Sequence, residues 1–140
     1  MRLATKLKGE DRYLVNIAPC PAPRMTKSDR WKKRPCVIKY FNFKDALKLA
    51  FPKYVNDTSI IGVELHSYFA FPKSYSKKKK KELITFGYHQ VKPDADNLIK
   101  AVCDGLFPKS DSQVAIMNST KYWAEGEESF MMIEFIRGKK

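Results

Sequence analysis

The order of hydrophobic and polar positions along the chain predicts a mixture of strands and helices. Residues 12–17 and 58–71 are rich in β-branched and aromatic side chains, which favours strands. Residues 113–123 and 128–136 predict two more strands, with Glu125-Gly126-Glu127 turning one back on the other as a final hairpin. Residues 18–36 are rich in proline and are expected to form a loop.

Three segments show helical character. The stretch from Phe41 to Phe51 has apolar residues at helical spacing, and Ser76 is placed to cap a short basic helix that ends near Gly87. A stronger pattern runs from Asp94 to about Leu106, with an apolar face made by Ala95, Leu98, Ile99, Val102 and Leu106. We therefore expect an α/β fold of the mixed α+β type: one small domain over residues 1–140, with a mixed sheet and a few helices.

Composition narrows the class of protein. With 140 residues and 44% hydrophobic positions, the chain can bury a core without covalent or metal cross-links. Cys20, Cys36 and Cys103 are widely spaced, which argues against a zinc site or a disulfide framework. No apolar run approaches a membrane span, and the first residues lack the apolar block of a secretory signal. We expect a cytoplasmic protein with no membrane partner.

The charge balance points to a polyanionic partner. Lys and Arg number 27 against 15 Asp and Glu, a net charge of +12. A basic surface gains affinity for nucleic acid by releasing counterions from phosphates, although a merely solvated surface has the same composition. The densest basic stretch precedes the helix predicted from Phe41, and its candidate DNA-binding residues are Arg24, Lys27, Arg30, Lys32, Lys33 and Arg34. Trp31 within it either stacks on an exposed base or holds the loop to the protein.

The segment from Pro93 to Lys100 carries the most specific chemistry. Asp96 and Lys100 share the polar face of the predicted helix, and Asp94 stands where a capping residue belongs. One interpretation is structural: Asp94 caps the helix, and Asp96 offsets the helix dipole and pairs with Lys100. The other is functional, because acids in a basic chain repel nucleic acid unless a cation such as Mg²⁺ bridges them to phosphate. Asp104 is expected to pair with Lys100.

A family resemblance favours the functional interpretation. The run Lys92-Pro93-Asp94-Ala95-Asp96-Asn97-Leu98-Ile99-Lys100 is followed by Asp104-Gly105-Leu106 and then by Asp111-Ser112-Gln113-Val114. Together these runs resemble the signature K-P-D-x-D-N-x-x-K, D-x-L and D-D-x-Q-V of the RusA family of Holliday junction resolvases. The chain departs from that signature at Ser110, where the family often has an acid next to Asp111.

The resemblance implies a function and a set of site residues. Asp94, Asp96 and Asp111 would be catalytic ligands of Mg²⁺, with Mn²⁺ able to substitute, and Lys100 would be the catalytic or phosphate-positioning cation. Asn97 would hold an aspartate in position or would be an ordinary polar surface residue. The implied protein is a homodimeric endonuclease that hydrolyses phosphodiester bonds in four-way junctions and other branched DNA during recombination and repair.

A different class of protein also fits the charge and the size. A non-catalytic basic nucleic-acid-binding protein, either ribosome-associated or a degenerate junction binder, would not need its carboxylates to converge, and Mg²⁺ would not change its binding. The distinguishing observation is whether Asp94, Asp96 and Asp111 lie within a few ångströms of one another in the folded protein.

Overall fold

The structure, a computed structural model, describes residues 2–24, 34–109 and 111–138, and at Asp111 it describes the backbone only. The strands are β1 (Ala4–Lys6), β2 (Arg12–Val15), β3 (Ile60–Phe69), β4 (Ile116–Trp123) and β5 (Phe130–Arg137). The helices are α1 (Pro35–Ala50), α2 (Lys77–Phe86) and α3 (Ala95–Leu106), and Asp111–Gln113 forms a single 3-10 turn.

The strands form one five-stranded sheet in the order β1-β2-β5-β3-β4. β3 and β4 are parallel, and the other neighbours are antiparallel. The connection from β3 to β4 contains α2 and α3, as a parallel pair requires a long crossover. The sheet is therefore mixed, which confirms the expected α+β fold class.

The hydrophobic core lies between one face of the sheet and helices α1 and α3. Alternate residues of the central strands point into it, among them Val63, Leu65 and Ile133. Helix α3 contributes a nearly continuous buried face, and Gly105 lets it approach α1 closely. A Cβ at Gly105 would lie 3.2 Å from Leu47 Cδ1, which is tight packing. The predicted apolar face of α3 is confirmed, with Ala95 partly buried at its first turn.

The predicted limits of α2 are also confirmed. The Ser76 side chain accepts a hydrogen bond from the Lys79 backbone N–H at 3.1 Å. At the other end Gly87 has φ 98°, a left-handed conformation that glycine adopts without a steric cost. None of the α2 residues is buried, so its lysine run is a solvated helix face.

Three predictions need correction at the level of the fold. Residues 25–33 of the predicted loop 18–36 lie outside the described residues, and its last two residues belong to α1, because Pro35 occupies the first helical turn, where a missing N–H costs nothing. Helix α1 therefore begins earlier than Phe41, and Val37 and Tyr40 extend its buried face. The short strand β1, which pairs with β2, was not predicted because only three residues form it.

The predicted final hairpin is wrong. β3 lies between β4 and β5, and the link from Ala124 to Ser129 crosses the end of β3. Both ends of that crossing are hydrogen-bonded, from Ala124 N to Phe69 O at 2.8 Å and from Ala70 N to Ser129 Oγ at 2.9 Å. β5 carries apolar residues on both faces and suits an interior position, whereas β4 begins with exposed residues and suits the edge.

None of the described helices has the length and hydrophobicity that crossing a membrane demands.

Candidate active site

The segment that enters α3 is held by side chains of the neighbouring strand β4. Lys121 Nζ donates hydrogen bonds to the carbonyl oxygens of Val91 and Pro93, both at 2.7 Å. Ser119 Oγ donates to the carbonyl of Ala95 at 2.7 Å. The Lys92–Pro93 peptide bond is cis. The three hydrogen bonds from Lys121 and Ser119 hold the backbone on both sides of Asp94, so the start of the helix is fixed in position.

A cleft of about 610 Å³ opens beside this helix start. Residues 18–22 form part of its wall, and the Ala22 backbone N–H donates to the Asn97 carbonyl at 3.1 Å. The lining residues come from that loop, α1, the end of β3, the entry to α3 and the start of β5: Ala18, Pro19, Pro21, Ala22, Lys39, Phe69, Lys92, Pro93, Asp94, Asn97 and Ser129. The cleft is mostly apolar, and its polar positions are two lysines, one aspartate, one asparagine and one serine.

Asp94 and Asp96 are exposed, and their side chains make no hydrogen bond or ion pair with the described part of the chain. Asp94 occupies the capping position of α3, yet its side chain makes no cap hydrogen bond. Asp96 lies in the first turn, and no salt bridge within 4.0 Å joins it to Lys100 among the described residues. The structural interpretation therefore fails for both the cap and the ion pair. Two open carboxylates are oxygen ligands of the kind that Mg²⁺ takes, so they fit the implied ion.

Asp104 has a structural contact, and its expected pairing with Lys100 is wrong. Its carboxylate accepts a hydrogen bond from the Tyr40 hydroxyl at 2.6 Å, which links α3 to α1. Burial, together with this hydrogen bond, raises the pKa of Tyr40 above its usual value of 10.0. The hydroxyl therefore remains protonated and keeps donating at neutral pH.

Asp111 lies at the other end of α3 from Asp94. Its backbone belongs to the 3-10 turn before β4, and the Gln113 side chain in that turn donates to the carbonyls of Asp57 and Ile60 at 2.7 and 3.0 Å. The same region meets the end of α3, where the Asn56 N–H donates to the Leu106 carbonyl at 2.8 Å. Among the side chains that are described, no three His, Cys, Asp or Glu residues come together as a metal site.

The candidate DNA-binding residues are only partly described. Arg34 Nη2 donates to the Arg24 carbonyl at 2.9 Å, so these two arginines are neighbours. Lys27, Arg30, Lys32 and Lys33 lie outside the described residues, as do Trp31 and Ser110. Lys100 is exposed on α3, one turn beyond Asp96, as the sequence predicts.

Sequence reasoning missed three residues that shape the site. Lys121 and Ser119 hold the start of α3, and Lys92 lines the cleft. Lys39 was counted in the basic stretch but not assigned to the cleft, which it also lines. The sequence feature that could have singled out Lys121 is that it is the one charged residue of the otherwise uncharged β4.

Comparison with known proteins identifies the family of this chain. The family profile described as "Endodeoxyribonuclease RusA" matches residues 16–134. The uncharacterized protein YqaN of Bacillus subtilis (strain 168) is 35% identical over 108 residues, covering 71% of this chain and 75% of that protein. No solved structure matches the chain significantly. Because the family profile spans most of the sequence, including every candidate carboxylate, the chain belongs to the RusA family of endodeoxyribonucleases.

Proposed function

We propose that this protein is a Mg²⁺-dependent endonuclease that cuts four-way junctions and other branched DNA in recombination and repair. One observation carries the proposal: Asp94 and Asp96 stand exposed and unpaired, on a helix start that Lys121 and Ser119 hold in place. Isolated carboxylates on a chain of charge +12 oppose DNA binding unless a cation lies between them and phosphate.

The residues of the site have distinct roles in this proposal. Asp94 and Asp96 hold the divalent ion, for which Mn²⁺ can substitute, and Asp111 is its third protein ligand. A bound Mg²⁺ would neutralise charge on the phosphate and activate a water for attack. Lys100 places a compact positive charge one helical turn from Asp96, where it orients a phosphate oxygen. Asn97 lines the cleft beside Asp94 and, in this proposal, would hold an aspartate in position once the ion is bound.

The cleft supplies a path for the nucleic acid. Lys39 and Lys92 line it together with Asp94, so a phosphate can be held there by opposite charge. Arg24 and Arg34 border the basic stretch that precedes α1, and Lys27, Arg30, Lys32 and Lys33 belong to the same proposed DNA surface. Apolar wall residues such as Pro19 and Phe69 suit contact with sugars or an unstacked base.

The working unit in this proposal is a homodimer. A four-way junction has two-fold symmetry, and resolving it requires two opposed cuts. One chain carries one Asp94–Asp96 motif, so two chains related by a two-fold axis provide the second cut.

Cleavage of a labelled synthetic four-way junction tests the proposal. Wild-type protein should cut with Mg²⁺ or Mn²⁺ and stop in excess chelator, whereas Asp96→Asn should lose cutting and still bind the junction. Asp45→Asn is a matched control, because Asp45 is also an exposed helical aspartate but lies on α1. Equal cutting by wild type with and without chelator would contradict the metal assignment.

The second candidate function is a non-catalytic nucleic-acid-binding protein. The +12 charge favours it equally, and the departure from the family signature at Ser110 adds a degenerate junction binder to this class. Binding of junctions that Mg²⁺ leaves unchanged, with no cutting under any divalent ion, would support this candidate over the nuclease.

A further inference from the structure

Three buried polar side chains surround Lys121 on the sheet. Ser67 is its neighbour on β3, His89 donates a backbone hydrogen bond to its carbonyl, and Trp123 follows it by two residues. Within the described residues, the buried side-chain atoms without a well-formed hydrogen bond are Ser67 Oγ, His89 Nδ1 and Trp123 Nε1. An unpaired buried polar atom lowers stability, so these side chains call for a role that an apolar residue could not fill.

His89 connects the wall of the cleft with the strand that supports α3. Its ring packs against Phe69, with the ring centroids 4.3 Å apart, and against Trp123, with the centroids 4.4 Å apart. Phe69 lines the cleft together with Asp94. The backbone N–H of His89 donates to the Lys121 carbonyl at 3.1 Å. One residue therefore contacts both the cleft wall and the lysine that holds the loop before Asp94.

The charge state of His89 matters because a cation lies close to it. Burial, and then the positive charge of Lys121, lower the pKa of His89 below its usual value of 6.5, and a contact with its own backbone opposes them without reversing the direction. Phe69 on β3 and Trp123 on β4 face the ring without charge, so Lys121 is the described cation that acts on it. The imidazole is therefore uncharged at neutral pH. A proton on it would repel Lys121 Nζ, whose two hydrogen bonds hold the loop before α3.

We propose that His89 is a positioning residue of the proposed active site: its uncharged imidazole backs Phe69 in the cleft wall and allows Lys121 to hold the loop before Asp94. Protonation of His89 weakens the hold of Lys121 on that loop, and the site loses affinity for its divalent ion. Because the folded-state pKa lies below the unfolded one, the unfolded chain takes the proton more readily, so this support is complete above about pH 6.5 and weakens as the pH falls. The proposal rests on the proposed function for the identity of the ion, but the coupling between His89 and the loop does not.

Binding of Mn²⁺ to the full chain, followed by electron paramagnetic resonance from about pH 7.5 to about pH 5.0, tests the proposal. His89→Phe keeps an aromatic ring against Phe69 and Trp123 and cannot take up a proton. Its Kd for Mn²⁺ should match that of wild type within about twofold at the upper pH, and should be at least about fivefold lower than that of wild type at the lower pH. A parallel loss of Mn²⁺ affinity in wild type and His89→Phe overturns the proposal.

His66→Phe is the matched control, because His66 is the other histidine of the chain and lies on the opposite face of β3, against Glu64 and Tyr122. This variant should lose Mn²⁺ affinity in acid as steeply as wild type. His89→Gln removes the ring as well as the titration, and should lower junction cutting at neutral pH by about tenfold without changing junction affinity, whereas His89→Phe should restore the rate. Equal cutting by His89→Gln and wild type contradicts the support of the cleft wall by the ring.

Nuclear magnetic resonance of the wild-type chain gives a measurement that needs neither a substitution nor cutting. The imidazole signal of His89 and the backbone amide signals of Val91 and Ala95 should change together, with one midpoint below pH 6.5. Amide signals that stay constant down to about pH 5.0, or that follow His66 instead, overturn the proposal. If wild type cuts no junction or binds no Mn²⁺, the proposed function fails, while the amide signals still decide whether His89 controls the loop.

Discussion

Two pairs of aspartates differ in whether their carboxylates have hydrogen-bonding and charged partners among the described residues. Asp11 and Asp57 are enclosed by partners: Arg137 donates to Asp11 at 2.9 and 3.2 Å and to Asp57 at 3.2 Å. The Tyr54 hydroxyl donates to Asp11 at 2.5 Å, and Ser59 donates to Asp57. This network joins the start of β2, the start of β3 and the end of β5, so its carboxylates stabilise the fold.

Asp94 and Asp96 have no comparable partner among the described residues. The backbone beneath them is nevertheless held by Lys121 and Ser119. The difference separates two uses of the same side chain. Where a carboxylate serves the fold, the protein neutralises it internally. Where it serves the proposed reaction, the protein fixes its backbone and leaves its charge for an external cation.

The largest expected effect on activity comes from mutating one aspartate of the exposed pair, and the matching mutation in the enclosed pair serves as its comparison. Asp94→Asn should reduce junction cutting by roughly 1,000-fold, about 4 kcal/mol of transition-state stabilisation, because it removes an ion ligand. Its free energy of unfolding should change by less than about 0.5 kcal/mol, since no described contact is lost. Asp57→Asn should do the reverse, with normal cutting and about 1 kcal/mol lower stability in urea. Similar losses of activity in both variants would contradict the distinction between a pair that serves the reaction and a pair that serves the fold.

A smaller effect is expected when the support under the open pair is weakened. Lys121→Met removes two hydrogen bonds to the loop before Asp94 and should reduce cutting by about 10- to 100-fold. Junction affinity should stay constant while the Mg²⁺ concentration for half-maximal cutting rises, which a general loss of stability does not produce. Lys121→Arg should restore part of the activity, and Lys78→Met on exposed α2 serves as the control.

Removing the cation of the enclosed pair should affect stability alone. Arg137→Met leaves Asp11 and Asp57 without their common donor and should lower the free energy of unfolding by about 1–2 kcal/mol. The value stays modest because the Arg137 side chain is 43% exposed, and solvent screens part of the attraction. Cutting per folded molecule should match wild type. A loss of cutting larger than the loss of folded protein would show that the two pairs are not independent.

The smallest effect is a dependence of stability on acid. Burial raises the pKa of Asp11 and of Asp57, but the hydrogen bonds from Arg137 with those from Tyr54 and Ser59 outweigh burial and hold both values below 3.8. The folded-state pKa is thus lower than the unfolded one, so their stabilisation is complete above about pH 4 and is lost as the pH falls further. Urea midpoints between pH 5 and pH 2.5 should fall more steeply for wild type than for Arg137→Met.

The sequence predicted local structure best where local chemistry decides it. Ser76 and Gly87 mark both ends of α2, because a side-chain cap and a left-handed residue act within one turn. The amphipathic pattern of α3 and the positions of Asp94 and Asp96 on it were also predicted correctly. The helix start at Pro35 was missed since proline is compatible with both a loop and a first helical turn.

The sequence pattern did not predict which strands pair or which residues distant in sequence come into contact. The hairpin between β4 and β5 was wrong because a turn-like run such as Glu125-Gly126-Glu127 does not reveal which strands become neighbours. The role of Lys121 depends on the same pairing, since its side chain donates to the loop before α3 from a β4 that is paired with β3. The assignment of Asp111 to the metal site remains a prediction, because only its backbone is described.

The parallel pairing of β3 with β4 has a consequence for the order in which the protein folds. Phe69 pairs with Trp123 across an intervening stretch that includes two helices, so this contact forms late in folding compared with local turns. Asp94 acquires its supports only when β4 has been synthesised and docked. A chain that has not yet docked β4 therefore lacks the donors Ser119 and Lys121, so the proposed site is complete only once β4 is in the sheet.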